Sequence, residues 1–229
     1  MNSNKLWLAG CLHYGERSQD KKELRRYLDA AKKGRWDIAI MGDMFDVGLC
    51  FGTKHIGSIW NNDLTPQGQI DAACEDFEGL KKQVVAVVTG NHEKRADALT
   101  DINPLRVFAD RLKAPYYGAS KVLRWNGKNL FVAHGASGSP MGDFMKVLNT
   151  YEGLDAVLLA HTHQLSTNRV RRFSVDGSGR QSERTIELAR CGSFLKDAAY
   201  AKFALHSPTP IGSAILVSEA ERLTVQLGI

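Results

Sequence analysis

Residues 84–93 read VVAVVTGNHE, an apolar run that stops at a glycine and continues into polar side chains. A short β-branched run bounded by turn residues is typical of a strand buried on both faces. Four other segments have the same form: KLWLAG (5–10), DIAIMGD (37–43), NLFVAHG (129–135) and DAVLLAHTH (155–163). The sequence therefore predicts buried strands that each end in a polar cluster.

Helical patterns separate these strands. Asp20 and Glu23 form a capping signal, and an apolar stripe at helical spacing then begins at Leu24. A second helix is predicted after Thr65 and the proline that follows it, and weaker patterns begin near residues 103 and 139. From about residue 168 the segments predict antiparallel strands joined by a glycine-rich turn. Alternating strands and helices predict a layered α/β domain.

The bulk properties limit the class of protein. With 229 residues, 43% hydrophobic and 24% charged, the chain is expected to form a single domain over residues 1–229. No apolar stretch approaches the ~20 residues that cross a bilayer, so no membrane association is expected. Four dispersed cysteines and no signal-peptide core favour a cytoplasmic location. The net charge of +5 weakly favours a polyanionic partner such as nucleic acid.

Metal-binding residue types collect at the predicted strand ends. Five of the seven histidines follow an apolar run, as do one aspartate and one asparagine. In α/β sheets, ligands bind beyond the carboxyl ends of the strands, because side chains from several strands meet there. In extended chain, Cys11 with His13, and His161 with His163, would each direct two donors toward one cavity. One such histidine is more often structural, but five together predict a metal site.

The motifs occur in a fixed order between residues 5 and 163. They are Cys11-x-His13, Gly42-Asp43-x-x-Asp46, Gly90-Asn91-His92-Glu93, Ala133-His134-Gly135 and Ala160-His161-Thr162-His163. This series resembles that of the calcineurin-like metallophosphoesterases, and the C-terminal segment looks like that of small prokaryotic and phage-encoded members. Val47-Gly48 stands where the protein serine/threonine phosphatases have Arg-Gly. The resemblance implies an α/β fold, a four-layer α/β/β/α sandwich of two mixed sheets flanked by helices.

The resemblance also implies a dinuclear metal centre bridged by Asp43. One ion would take Cys11, His13, Asp43 and His163, and the other would take Asp43, Asn91, His134 and His161. His92 would face the leaving-group oxygen, and Asp46 would orient or charge-stabilise His92. Two divalent or trivalent ions (Mn, Zn or Fe), about 4 Å apart, would neutralise a phosphoester and lower the pKa of water toward about 7.

The implied activity is phosphodiester hydrolysis by a metal-activated hydroxide. Phosphomonoester hydrolysis is an alternative, and a nucleic acid or nucleotide is weakly favoured as the substrate. A non-catalytic metal-binding scaffold of the same fold is a second alternative, motivated by Cys11.

Cys11 stands where relatives usually have aspartate. A thiolate favours zinc or iron over magnesium or manganese, and it binds zinc at ~2.3 Å against ~2.0–2.2 Å for a carboxylate oxygen. We predict that Cys11 is a ligand; the alternative is a small buried hydrophobe. Cys74 lies on the apolar stripe of its helix and is expected in the core, whereas Cys50 and Cys191 are given no role.

Several side chains are candidates for substrate contact. Residues 51–63 are polar and contain glycine, and a loop there could cover or contact substrate. Trp60, Tyr116 and Tyr117 could stack on a base, and Arg169, Arg171 and Arg172 could contact phosphates. Each of these residue types is more often a packing or solvated residue.

Overall fold

The computed structural model describes residues 3–47, 61–136, 139, 141–196, 210–219 and 222–229. The strands in this part are β1 (Lys5–Ala9), β2 (Asp37–Met41), β3 (Val84–Val88), β4 (Ser120–Trp125), β5 (Lys128–Ala133), β6 (Ala156–Leu159), β7 (Leu165–Val175), β8 (Gln181–Ser193), β9 (Gly212–Glu219) and β10 (Arg222–Leu227). The α-helices are α1 (Lys21–Gly34), α2 (Pro66–Phe77), α3 (Asn91–Thr100), α4 (Pro104–Leu112) and α5 (Gly142–Thr150), and a 3-10 helix (Glu78–Gln83) joins α2 to β3. The five predicted buried strands are confirmed as β1, β2, β3, β5 and β6.

The strands form two mixed sheets. The first has the order β3-β2-β1-β9-β10, in which β1, β2 and β3 are parallel and β9 is antiparallel to β1. The second has the order β4-β5-β6-β8-β7, in which β5, β6 and β8 are parallel. The sheets join where β8 pairs with β9 through Gly192–Ser213 and Ser193–Gly212. The expected C-terminal antiparallel strands are confirmed, although β7 begins earlier than predicted and β8 also pairs in parallel with β6.

Alternating side chains separate three hydrophobic cores. Leu8 of β1 and Leu158 of β6 lie in the core between the two sheets, whereas Trp7 faces the helices α1, α2 and α4. On the outer face of the second sheet, Val157 packs with Phe144 of α5. The cores therefore stack as helices, sheet, sheet and helices, so the predicted α/β/β/α sandwich is confirmed.

Local capping explains where the predicted helices begin. Asp20 accepts from the Glu23 amide at 3.0 Å, and Thr65 accepts from the Gly68 amide at 3.1 Å. The Asn103 side chain caps α4 in the same way. A cap of this kind contributes about 1 kcal/mol. The helix predicted near residue 139 begins later, at Gly142.

The topology brings the carboxyl ends of five strands to one side of the molecule. The parallel strands β1, β2 and β3 end there in the first sheet, and β5 and β6 end there in the second. The side chains that follow these strands thus face each other across the junction of the two sheets. Over the residues described here, no helix combines the length and apolar character that a bilayer span needs.

Candidate metal centre

The chain turns sharply at the strand ends that carry the predicted ligands. Five of these ligands have left-handed backbone, with φ of 52° at Cys11, 50° at His13, 48° at Asp43, 72° at His161 and 58° at His163. A non-glycine residue in this region costs about 1–2 kcal/mol, and such conformations cluster at functional sites. The extended geometry expected for the two i, i+2 pairs is therefore wrong, because these residues direct their donors from left-handed turns.

One group of donors comes from four different turns. Asn91 Oδ1 lies 3.0 Å from His134 Nε2 and 2.8 Å from His161 Nδ1, and the two histidine nitrogens are 3.2 Å apart. Asp43 Oδ2 lies 3.1 Å from the same His134 nitrogen. The His134 Nδ1 atom is 2.8 Å from the Met41 carbonyl oxygen, which can only accept, so this nitrogen carries the proton.

These spacings fit a shared cation. A protonated His134 Nε2 can donate to the oxygens of Asn91 and Asp43, and once that proton is displaced the same atoms can all present lone pairs to a cation. Two ligand atoms about 2.1 Å from one ion are about 3.0 Å apart at right angles and about 3.4 Å apart at the tetrahedral angle. The observed separations of 2.8–3.2 Å match the first value.

A second group lies beside the first. The Nε2 atoms of His13 and His163 are 3.1 Å apart, and Cys11 offers its sulfur within 4.8 Å of both side chains. Cys11 also lies within the same distance of the donors of Asp43 and His134. The structure therefore brings all seven predicted ligands into two adjoining groups. Cys11 is fully buried, which suits a ligand and a small hydrophobe equally.

Each group contains one histidine whose pKa is raised and one whose pKa is lowered. Burial alone would lower the pKa of His134, but Asp43 raises it to about 10. Burial likewise opposes charge on His13, and Asp46 and Cys11 raise its pKa to about 9. Burial and the charge of His13 lower the pKa of His163 to about 3. His134 and His13 thus hold protons at neutral pH that a metal ion would have to displace.

His92 sits at the edge of the groups, where Asp46 holds it. The His92 Nδ1 atom lies 3.0 Å from the Asp46 carbonyl oxygen and 3.3 Å from its carboxylate, and the His92 amide donates to Asp43 Oδ1 at 2.9 Å. The side chain is 19% exposed, and its Nε2 atom is 3.9 Å from Asp43 Oδ2. Burial opposes charge on His92, but the two aspartates raise its pKa.

Comparison with known families identifies the class of protein. The family profile described as calcineurin-like phosphoesterase matches residues 5–165 of the chain. The chain belongs to this family. The family generally uses divalent metal ions, and membership implies a phosphoester substrate. No curated protein sequence matches the chain.

The chain is also similar to solved structures. An archaeal phosphodiesterase is similar with a TM-score of 0.51 and 12% identity, over 97% of this chain and 99% of that one. Vps29 from Entamoeba histolytica, determined with zinc, has a TM-score of 0.46 and 15% identity over 96% and 89% of the two chains. A conserved uncharacterized protein from Streptococcus pneumoniae, described as a predicted phosphoesterase, has a TM-score of 0.47 and 12% identity over 96% and 86%.

Some residues around the centre of this calcineurin-like chain were missed by sequence reasoning. Asn62 donates to Asp46 Oδ2 at 2.7 Å, and the fully buried Gln69 donates to Asn62 Oδ1 at 2.9 Å. Arg190 of β8 donates to the carbonyls of Ala160 and Ser139, both at 3.1 Å, and so links the turns after β5 and β6. Isolated polar residues of these types carry no periodic signal that would mark them.

The described cysteines differ in their burial and in their contacts. Burial raises the pKa of the Cys11 thiol, and a hydrogen bond with Cys191 adds to this effect. Cys191 was given no role from the sequence, yet it is fully buried beside Cys11. Cys74 is half-buried and packs against the helical core, as expected. Cys50 lies outside the described residues.

The two tyrosines that are candidates for substrate contact differ in their surroundings. The Tyr116 hydroxyl is bonded to Thr89 at 2.8 Å, and Tyr117 is exposed beneath the Lys121 ammonium group. Residues 51–60, with Trp60, lie outside the described residues.

The three arginines lie on β7. Arg169 is paired with Glu187, Arg171 is paired with Glu183, and Arg172 donates to the Leu148 carbonyl. Because Arg171 follows Leu165 by six residues, it lies about 20 Å along the strand from the metal-centre end. These arginines therefore do not face the candidate centre.

Proposed function

We propose that this calcineurin-like chain is a dinuclear-metal-dependent phosphoester hydrolase that acts on phosphodiesters. The observation that carries the proposal is the convergence of potential ligand atoms from Asn91, His134 and His161 within 2.8–3.2 Å of one another. Once the His134 proton is displaced, these atoms can all present lone pairs to one cation. The adjoining nitrogens of His13 and His163 repeat the arrangement 3.1 Å apart.

Each proposed ion would have its own ligands. Cys11, His13, Asp43 and His163 would hold one, and Asp43, Asn91, His134 and His161 would hold the other. The bound pair would neutralise a phosphoester and acidify water, which is the chemistry that such ions supply. Asp43 lies within reach of both groups, because its carboxylate lies within 4.8 Å of the donor atoms of His134 and Cys11.

His92 is proposed to protonate the leaving-group oxygen. The Asp46 carbonyl oxygen fixes the Nδ1 proton of His92, so Nε2 is the nitrogen that can face a substrate. Asp46 and Asp43 raise the pKa of His92, which favours the protonated form that a general acid needs. General acid catalysis of this kind contributes about 10²–10⁴-fold. The Asn62 amide holds Asp46 in turn, which fixes the acid's orientation.

A substrate with more than one phosphate suits the charge around this residue. Lys94 and Arg95 directly follow His92 on α3, and the charge of Arg95 reaches His92 strongly enough to oppose its protonation. The net charge of +5 acts in the same direction. A nucleotide or a nucleic-acid backbone is therefore the substrate class we favour, with a phosphomonoester as the alternative.

The test is hydrolysis of a chromogenic bis-aryl phosphodiester and of the matching aryl monoester. Metal-free protein is assayed alone and after addition of manganese, zinc or ferrous ions, with Asp43→Asn as the control for the bridging ligand. We expect metal-dependent turnover, faster on the diester, that Asp43→Asn abolishes. Folded, metal-loaded wild type that turns over neither ester would instead support the non-catalytic scaffold.

Cys11→Asp tests the metal preference separately. A thiolate ligand predicts that wild type retains zinc or iron better, and that the aspartate variant responds more to manganese. Metal content by mass spectrometry on both proteins measures this directly. The same metal dependence in both would show that Cys11 does not coordinate.

A further inference from the structure

The Glu93 carboxylate is buried beneath the turn that carries Asp43. Its side chain has no exposed surface. Oε1 accepts from the amides of Met44 at 2.8 Å and Phe45 at 3.1 Å, and Oε2 accepts from the amides of Asp43 and Gly90, both at 3.0 Å. Four backbone donors thus converge on one carboxylate, as in the backbone concavities that bind anions.

These four amides belong to two turns that both carry proposed ligands. Three are consecutive and begin at Asp43, whose φ of 48° is unfavourable for a side-chain-bearing residue. The fourth, Gly90, directly precedes Asn91. Glu93 therefore bonds to the turn after β2 and to the turn after β3 at the same time.

The two turns pack too closely to admit a side chain at either glycine. A Cβ atom at Gly42 would lie 2.4 Å from the Gly90 nitrogen, and one at Gly90 would lie 2.2 Å from Asp43 Oδ1. Because the two turns are in direct contact, a displacement of one is transmitted to the other. An anion held by both turns consequently sets the separation of their side chains.

We propose that Glu93 is a positioning residue that acts as an internal anion, holding Asp43 and Asn91 at the separation that metal binding requires. The proposal rests on the proposed function, because it assumes that these two side chains are ligands. Glutamine at position 93 has the same shape, but its NH₂ group would face two amide donors instead of accepting from them. In either orientation, the glutamine NH₂ group faces two of the four buried backbone N–H groups, which then have no acceptor.

The experiment measures metal binding directly. Cobalt is titrated into metal-free wild type, Glu93→Gln and Glu93→Ala, and site occupancy is followed by visible absorption and by calorimetry. We expect Glu93→Gln to weaken cobalt binding by about 10–100-fold, as loss of a ligand-orienting partner does. The matched control is Asp155→Asn, because Asp155 accepts from the Asn129 amide at 2.8 Å at the opposite end of the second sheet. Its cobalt affinity should equal that of wild type.

Chemical rescue separates positioning from simple loss of stability. Glu93→Ala removes the part of the side chain that acetate resembles, so acetate should occupy the vacated anion site and restore cobalt affinity, whereas chloride at equal ionic strength should not. Folding of each variant is checked by circular dichroism and thermal unfolding. If Glu93→Ala folds only when acetate is added, and acetate restores the fold and the cobalt site together, the inference also stands.

Two outcomes overturn it. Folded Glu93→Gln with wild-type cobalt affinity would show that the carboxylate does not position the ligands. Rescue by chloride as effective as that by acetate would show that the effect is one of ionic strength. Wild type that binds no cobalt would refute the proposed function instead, so the two failures are distinguishable.

Discussion

Loading the metal-free protein with zinc at pH 7 is expected to release about three protons. The pKa of about 9 for His13 and of about 10 for His134 leaves both imidazoles protonated at that pH. The raised pKa of Cys11 keeps its thiol protonated as well. His163, with its pKa lowered to about 3, is already neutral and releases none. Metal ligands must be deprotonated, so two imidazolium protons and one thiol proton leave.

The sign of the pH dependence follows from the same groups. Because the metal-free state binds more protons than the loaded state, zinc affinity rises with pH. Each released proton contributes about tenfold per pH unit, so the product of the two binding constants changes by about 10³ per unit near pH 7. The dependence should weaken above pH 9, where the His13 proton is lost without metal.

Calorimetric titration in buffers of different ionisation enthalpy gives the number of protons released on zinc binding. This number is the slope of a plot of observed binding enthalpy against buffer ionisation enthalpy. Wild type should give about three protons and Cys11→Ala about two. Equal release from both proteins would identify Cys11 as a buried hydrophobe. No net release on binding would refute coordination by His13 and His134.

Three further outcomes are expected. Asp43→Asn should reduce phosphodiester turnover far more than Asp46→Asn in the same steady-state assay, because Asp43 is the proposed ligand of both ions and lies within 4.8 Å of the donors of Cys11 and His134. His92→Asn should lower kcat by about 10²–10⁴-fold and leave bound metal, measured by mass spectrometry, unchanged. Phe108→Ala should reduce the free energy of unfolding in urea by about 3–5 kcal/mol, because Phe108 is fully buried, whereas Phe173→Ala, at a position 55% exposed, should change it little.

The strands that position the site were predictable because each is a short apolar run with its own boundary signals. Helix α3 was missed because its sequence, NHEKRADALT, is mostly polar and lacks a wide apolar stripe. Strand β4 was missed for a similar reason, since only Trp125 of its six residues is buried. Tertiary context, more than local pattern, determines both elements.

The donor set of the candidate site was predictable because strand ends and motif order mark it. The buried polar residues that hold the surrounding turns in place were not predictable. Gln69 and Arg190 are polar residues that are buried only because distant turns supply their hydrogen-bond partners. Sequence spacing cannot reveal such pairings, which join residues far apart in the chain.

The candidate ligands are divided between the two sheets. The first sheet contributes Cys11, His13, Asp43 and Asn91, and the second contributes His134, His161 and His163. Among the described residues, β8 and β9 join the sheets through two residue pairs. Ions held here would link the two halves of the molecule, so metal loading should oppose separation of the sheets. The metal-loaded protein should accordingly unfold at a higher temperature than the metal-free protein.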